Sequence, residues 1–231
     1  MPLLETLQDD VKRIFRETWN QSKGFVVPES EDLGPGNDAV RLNGVVLCAD
    51  IFGSTRLVDE YESHLSSEIY KSFLSCAAKL IRAESGSVTG YHGDSIMGVF
   101  IGGNSNTCAV RCALKINYAV NHIINPAVRL QYPDNDHMLH HCVGIDSGPL
   151  WVTRAGVRET NDLVWVGRAA NSASKLARLP YEHPTWITKQ VYTEMSQALR
   201  YTDGKPMWEK RVWAAMGDGE IYRSGWKWSV E

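Results

Sequence analysis

Asp50 closes the apolar run Gly44-Val45-Val46-Leu47-Cys48-Ala49, and Asp94 sits in Tyr91-His92-Gly93-Asp94-Ser95. The first is an acid presented at the end of a strand. The second lies at the tip of a predicted hairpin whose arms are residues 87–91 and 95–100, turning through His92-Gly93-Asp94. Two hard oxygen donors held together bind divalent cations of the magnesium or manganese type, which triphosphates bring with them. Asp50 is followed by Ile51-Phe52-Gly53-Ser54-Thr55. A glycine there lets the backbone turn closely, and Ser54 or Thr55 is placed to cap the next helix, leaving N–H groups aimed at an anion such as a metal-bound phosphate. Taken singly, each acid also reads as an ordinary helix cap or turn residue, so the decision rests on a third block.

That block is Leu163-Val164-Trp165-Val166-Gly167-Arg168-Ala169-Ala170-Asn171-Ser172-Ala173-Ser174-Lys175-Leu176-Ala177. Gly167 closes a strand, and the small residues from Ala169 onward predict a helix able to approach its neighbours closely. Asn171 and Lys175 are one helical turn apart and share a face. An amide donor and a cation on one face suit a phosphoryl transition state, where catalysis is chiefly positioning and charge stabilisation. In isolation the same pattern also fits a solvent-facing helix with a polar stripe.

In this order the three blocks resemble the class III nucleotidyl cyclase catalytic domain. Residues 46–55 look like that family's first metal motif, residues 90–100 like its second, and Val143-Gly144-Ile145-Asp146-Ser147-Gly148 with the Asn171 block like its C-terminal catalytic segment. The resemblance spans about residues 41–222. It implies an α+β, ferredoxin-like domain with a mostly antiparallel central sheet covered by helices, here with an extra N-terminal helix. It also implies two divalent cations, Mn²⁺ or Mg²⁺, held by Asp50, Asp94 and the Ile51 carbonyl, with phosphates cradled by residues 52–55 (Phe52, Gly53, Ser54 and Thr55). The family's transition-state asparagine falls on Asn171, and its arginine is replaced by Lys175, which keeps the charge and loses the bidentate fork. Metal aspartates and the asparagine helix come from different subunits in that family, so a homodimer with sites at the interface is implied.

Base selection departs from the purine cyclases. The lysine that adenylyl cyclases place before the second aspartate is Gly90 here, and its acidic or threonine partner is Val164. Neither side chain can donate or accept. That loss, with the compact size, is similar to the pyrimidine cyclases of bacterial Pycsar anti-phage systems. The resemblance therefore implies conversion of UTP to 3′,5′-cyclic UMP and pyrophosphate. Cytidylate cyclase, adenylate or guanylate cyclase, and an inactive nucleotide-binding module remain as alternatives. Tyr91 and Trp165 are candidates for narrowing the base pocket.

The elements that must position these residues follow from pattern. Leu4, Leu7, Val11 and Ile14 form a stripe on an N-terminal helix ending near Trp19, expected to pack on its own domain or, alternatively, on a dimer partner. Residues 26–37 are a Pro/Gly/acid-rich connector, giving a division into 1–40 and a catalytic domain at 41–231. Helices are predicted over residues 54–83, 105–124 and 190–199, strands over 140–147, 150–156 and 185–187, and a closing hairpin before Trp226. The chain has 231 residues and net charge −3, enough for one large core and with no basic footprint for nucleic acid. Its odd set of five cysteines reads as reduced core thiols. No leader and no membrane-spanning run is apparent, so a soluble cytoplasmic enzyme is expected. His137, His140 and His141 lack partners at zinc-like spacing, and Trp208, Trp213, Trp226 and Trp228 read as core or edge packing.

Overall fold

The computed structural model describes residues 2–157 and 160–230. In chain order its helices are α1 (Leu3–Arg16), α2 (Ser54–Glu60), α3 (Ser63–Ala83), α4 (Ser105–Ala119), α5 (Asn125–Gln131), α6 (Arg168–Leu176) and α7 (Lys189–Glu194). The strands are β1 (Asn20–Lys23), β2 (Asp38–Phe52), β3 (Ser87–His92), β4 (Ser95–Phe100), β5 (His140–Val157), β6 (Thr160–Val166) and β7 (Thr185–Thr188), then β8 (Tyr201–Thr202), β9 (Lys205–Pro206), β10 (Glu209–Trp213) and β11 (Gly219–Ser224). One sheet runs β10-β11-β7-β5-β2-β4-β3, with β1 beside the start of β2 and β6 beside the far half of β5. Its pairings are antiparallel except β1 with β2 and β5 with β7. This is the helix-covered, mostly antiparallel α+β sheet expected.

Strand alternation gives the sheet two apolar faces. Val45, Leu47, Ala49 and Ile51 of β2 join Leu65, Ile69, Phe73, Ala77 and Ile81 of α3 and Ala109, Cys112, Ala113 and Ile116 of α4 in the larger core. The intervening Val46 and Cys48 face the other way, against Ala169, Ala170 and Ala173 of α6. The small residues on α6 matter because the helix lies directly on β5 at Gly144. A Cβ there would stand 2.1 Å from the Ala173 carbonyl oxygen, so no other residue fits without moving the helix.

Several boundaries differ from expectation. α1 ends at Arg16, because Glu17 is already extended and Trp19 packs edge-on against Trp151 at 5.4 Å on the way into β1. None of its residues is buried, which overturns packing of its stripe on the parent domain. The predicted 105–124 helix continues to Gln131 through a wide π turn at Val120–Ile124, where Asn121 Nδ2 donates to the Asn117 carbonyl at 2.7 Å. The two strands predicted over 140–156 are one, since Gly148 and Pro149 stay in register with Gly44 and Asn43. The 190–199 helix breaks at Met195, extended, before a short 3₁₀ turn at Gln197–Leu199. Trp208 and Trp213 are buried, whereas Trp226 and Trp228 remain partly exposed. All five cysteines are free.

One buried ion cluster ties α3 to α4. The Glu84 carboxylate, 4 % exposed, accepts from Arg111 Nε at 2.6 Å and pairs with Lys115 Nζ at 2.8 Å. Burial pushes its pKa up, but the bonds from Arg111 and Lys115 outweigh this and hold it below the ordinary 4.5. A depressed carboxyl stabilises the fold above its unfolded pKa and loses that contribution as pH falls. Glu84→Ala should therefore cost about 1–3 kcal/mol near neutrality by removing the charge-assisted bonds to Arg111 and Lys115. The gap between its urea midpoint and that of the wild type should narrow on going from about pH 7 to about pH 4.

Candidate active site

β2 and the β3–β4 hairpin bring the two aspartates together. Asp50, near the end of β2, stands opposite Ser95 in the ladder to β4, and Asp94 lies in the turn just before Ser95 after Gly93 at φ 65°. Both are half-buried. Desolvation, then the negative charge and hydrogen bonding of Asp94, push the Asp50 pKa up to about 6, against the pull of Arg178 and of the Ile51 N–H. Asp50 Oδ1 is buried and has no hydrogen-bond partner. A crowded carboxylate pair with an orphaned buried oxygen is the electrostatic environment that a hard cation relieves. Cys48 and Cys142, the latter opposite Asp50 in β5, are pushed up to about 12 chiefly by burial. They stay protonated and add no charge.

The corner after Asp50 differs in one detail from its sequence reading. β2 runs on to Phe52 and turns at Gly53, which takes the left-handed conformation at φ 74° and is itself the N-cap of α2. Ser54 and Thr55 are already inside the helix, and no side chain caps it. Ile51 is buried in the larger core, so only its backbone faces the aspartates' end of the strand. The exposed Phe52 ring is braced by Tyr181 at 4.6 Å, which in turn lies 4.2 Å from His140. These rings line a cleft of about 410 Å³ behind the corner, with Arg56 and His137. His141, by contrast, is a neutral core residue whose burial drops its pKa to about 3.

α6 carries Asn171 and Lys175 on its outward face, both exposed, while Ser172, Ala173 and Leu176 are buried beneath. Arg168 and Arg178 extend the same exposed stripe. The start of the helix lies by Gly148, where a Cβ would be 3.9 Å from Ala169 Cβ, and its end lies by Gly144. Asp50 is level with Cys142. Arg178, just past the helix, is thus the cation that acts on Asp50, and Asn171 is two turns away, about 10 Å of helix rise. Within one chain the structure joins Asp50 to Asp94 and does not bring Asn171 to them.

Ladder register also orders the surface beside Asp50. Asp50, Ser95 and His92 form one row across β2, β4 and β3, and Cys48, Met97 and Gly90 form the next. A Cβ on Gly90 would lie 3.0 Å from His92 Nε2, so the imidazole covers the place where a side chain at 90 would start. Tyr91 pairs with Ile96, a residue of the larger core, and faces the other side of the sheet from Asp50. Tyr91, one of the two candidates for narrowing a base pocket, is thus on the face opposite Asp50. Trp165 packs into the core under α6, and neighbouring Val164 is exposed.

Sequence reasoning gave no role to His92 or to the fully buried Asp146, and did not single out Arg178 or Tyr181. Asp146 Oδ1 accepts from Thr188 Oγ1 at 2.7 Å, and its Oδ2 is 3.8 Å from Arg168 Nη2 at the start of α6. Arg178 was detectable, since the 3-4-3 spacing of Arg168, Asn171, Lys175 and Arg178 marks one polar helix face. The burial of Asp146 and the lean of His92 over Gly90 had no local signal.

No family model matches the chain. Its full length is 43 % identical over 232 residues to the whole of a uridylate cyclase from Xanthomonas perforans. It is 45 % identical over 230 residues to a uridylate cyclase from Burkholderia cepacia, covering 97 % of this chain and 99 % of that one. Among solved structures it superposes on the guanylyl cyclase Cya2 with TM-score 0.69 at 16 % identity, covering 82 % of this chain and 95 % of that one. The adenylyl cyclase CyaB from P. aeruginosa gives TM-score 0.65 at 21 % identity, covering 80 % and 95 %. Fold likeness at such identity fixes the class III cyclase architecture, and full-length identity above 40 % fixes the family: the chain belongs to the uridylate cyclases, a family of nucleotidyl cyclases.

Proposed function

We propose that the protein cyclises a pyrimidine nucleoside triphosphate, UTP by preference, to the 3′,5′-cyclic monophosphate and pyrophosphate, acting as a homodimer with sites shared between chains. The observation that carries the chemistry is the Asp50–Asp94 pair with its buried, unpartnered Asp50 oxygen. These residues fit two Mg²⁺ or Mn²⁺ ions, which Asp50, Asp94 and the Ile51 carbonyl would hold. When bound, such ions supply charge neutralisation on the triphosphate and lower the pKa of the ribose 3′-hydroxyl. The uncapped first turn of α2, with Phe52, Gly53, Ser54 and Thr55, presents backbone N–H groups to the outer phosphates. Gly53 lets the chain come close there.

The bond made joins the 3′-oxygen to the α-phosphorus. The bond broken releases pyrophosphate. Asn171 donates its amide to the reacting phosphoryl group and Lys175 balances its charge as a point cation. Two helical turns separate Asn171 from the Asp50 end of its own chain, which supports its supply by a second copy. Absence of a hydrogen-bonding side chain at Gly90, with His92 leaning over that position, supports a one-ring base over a purine. The names of the full-length relatives favour uracil. In this reading the cyclic nucleotide is a cytoplasmic signal in anti-phage defence, as in the systems the sequence resembles. Among the described residues no helix is long and apolar enough to cross a membrane.

Incubating the pure protein with each of the four NTPs and manganese, with products identified by mass spectrometry, should give cyclic UMP in excess over the other three. Nucleotide binding without any cyclic product would leave a binding module instead.

The aspartate pair makes a thermodynamic prediction that needs no turnover. A carboxyl with a raised pKa stabilises the metal-free fold below its unfolded value of 3.8 and loses that contribution as pH rises through about 6. Manganese should therefore raise Tm more at about pH 8 than at about pH 5. Asp50→Asn should raise the Tm of metal-free protein and abolish both the manganese shift and turnover. An undiminished manganese shift in that variant would place the cations elsewhere.

The shared site predicts complementation. Asp50→Ala and Asn171→Ala proteins, each inactive alone, should regain activity when mixed, because one of the two heterodimer sites contains neither lesion. Silence after demonstrated subunit exchange would exclude a site divided between chains.

A further inference from the structure

The end of α6 lies over the acidic corner of its own chain. Cys142 Sγ donates to the Leu176 carbonyl at 3.5 Å, and a Cβ on Gly144 would stand 2.5 Å from the Ala177 nitrogen. In the ladder these two β5 residues are opposite Asp50 and Cys48. Arg178 follows at once, its N–H donating to the Lys175 carbonyl at 3.2 Å, so its side chain leaves the last turn of the helix beside that corner. Its positive charge acts on both Asp50 and Cys48. The residue is exposed, and among the described residues its guanidinium has no hydrogen bond or ion pair. Arg168, at the other end of the same stripe, is by contrast bonded to Gln190 at 3.4 Å and lies 3.8 Å from Asp146. One arginine fork is thus committed to the fold, while the other stands open beside two carboxylates. A side chain that served only to neutralise those acids would close onto them.

We propose that Arg178 is a phosphate ligand of the site built on its own chain's Asp50 and Asp94, gripping the outer phosphates that leave as pyrophosphate. This rests on the shared-site reading above, in which Asn171 and Lys175 of a second copy reach the reacting phosphoryl group. Charge accounting calls for a further cation. A fully ionised triphosphate and the aspartate pair together exceed the charge of two divalent ions and Lys175 by one, and Arg178 supplies that one. As the 3′-oxygen gives its proton to water and bonds to the α-phosphorus, the bond from phosphorus to the bridging oxygen breaks and its electron pair passes to pyrophosphate. A planar guanidinium meets that charge with two parallel N–H bonds, which the point cation Lys175 cannot do. One rival follows from the helix itself: Arg178 shares the stripe of Asn171 and Lys175, and on that basis it would serve the second copy's site. Its place over Cys142 and its action on Asp50 favour its own.

Binding is measured by calorimetry on the full chain with saturating manganese, using 3′-deoxy-UTP, which cannot cyclise, and pyrophosphate. Arg178→Ala alters one exposed side chain, so Tm should hold, while affinity for both ligands should fall about 10–100-fold. Affinity for UMP, which lacks the outer phosphates, should hardly change. Arg178→Lys should recover part of the loss, since it restores the charge without the fork. Manganese alone should bind no more weakly, because the change removes a repelling cation. Undiminished affinity for 3′-deoxy-UTP and pyrophosphate, or an equal loss for UMP, overturns the proposal. So does a parallel loss of manganese, which would make Arg178 a prop of the corner. Complementation then tells which site it serves. Asn171→Ala protein mixed with a chain carrying both Asp50→Ala and Arg178→Ala should regain as much activity as it does with Asp50→Ala, because the intact site takes its aspartates and its Arg178 from one chain. Asp50→Ala protein mixed with a chain carrying both Asn171→Ala and Arg178→Ala should regain far less. The reverse pattern overturns the assignment to its own chain's site. If Asp50→Ala and Asn171→Ala proteins do not complement at all, the shared site falls, and the binding losses by themselves uphold or overturn Arg178 as a phosphate ligand.

Discussion

Two carboxylates forced together in a half-buried corner are the constraint around which the molecule is arranged. Water would ordinarily separate Asp50 and Asp94. Here a long central strand ends in one, and a tight hairpin on the next strand, turned by left-handed Gly93, delivers the other. The cost appears as the raised pKa of Asp50 and its unpartnered buried oxygen. Such a cost persists only because the strands carrying the acids are locked by the core, with Ala49, Ile51 and Ile96 fully committed to it on the face away from the site. Arg178 and the Ile51 N–H relieve the crowding only in part, which leaves the pair short of positive charge.

The same economy governs α6. A helix must lie very close to the sheet if its outward face is to stand at a defined height, and the Gly144–Ala173 approach achieves this. Ser172, Ala173 and Leu176 face inward while Arg168, Asn171, Lys175 and Arg178 face out, so helix position and chemical identity are set by alternate residues of one short segment. Asp146 adds an anchor from below. Fully buried and bonded to Thr188, it places negative charge by Arg168 and the N-terminal turn of α6, where the helix dipole favours it.

Much of this was legible in the chain because it follows from local periodicity. The strand ending at Asp50, the hairpin tip at Asp94, the α3 and α4 core faces and the shared face of Asn171 and Lys175 all appear where alternation and helical spacing put them. What was illegible depends on tertiary geometry. The capping role given to Ser54 or Thr55 failed because the strand extends two residues beyond Asp50 and Gly53 makes the turn. The face that Tyr91 takes was not legible, because the register of β3 with β4, shifted by a bulge between Val88 and Gly90, decides which neighbour points toward Asp50. The stripe on α1 was correctly read as apolar, but periodicity cannot say what covers it.

The outward place of Asn171, about two helical turns from the Asp50 end of the sheet, bears on how the site is completed. A single copy completes its hydrophobic core, yet leaves the apolar stripe of α1 exposed and holds Asn171 and Lys175 on the outward face of α6. In the shared-site reading that outward face meets the acidic corner of a second copy, so association and catalytic geometry are coupled. With a net charge of −3, triphosphate binding in that reading draws on the metals and on the cations beside the site rather than on the field of the whole chain. Activity would follow assembly, and an isolated chain would hold an acidic corner with nothing to stabilise the transferring phosphoryl group.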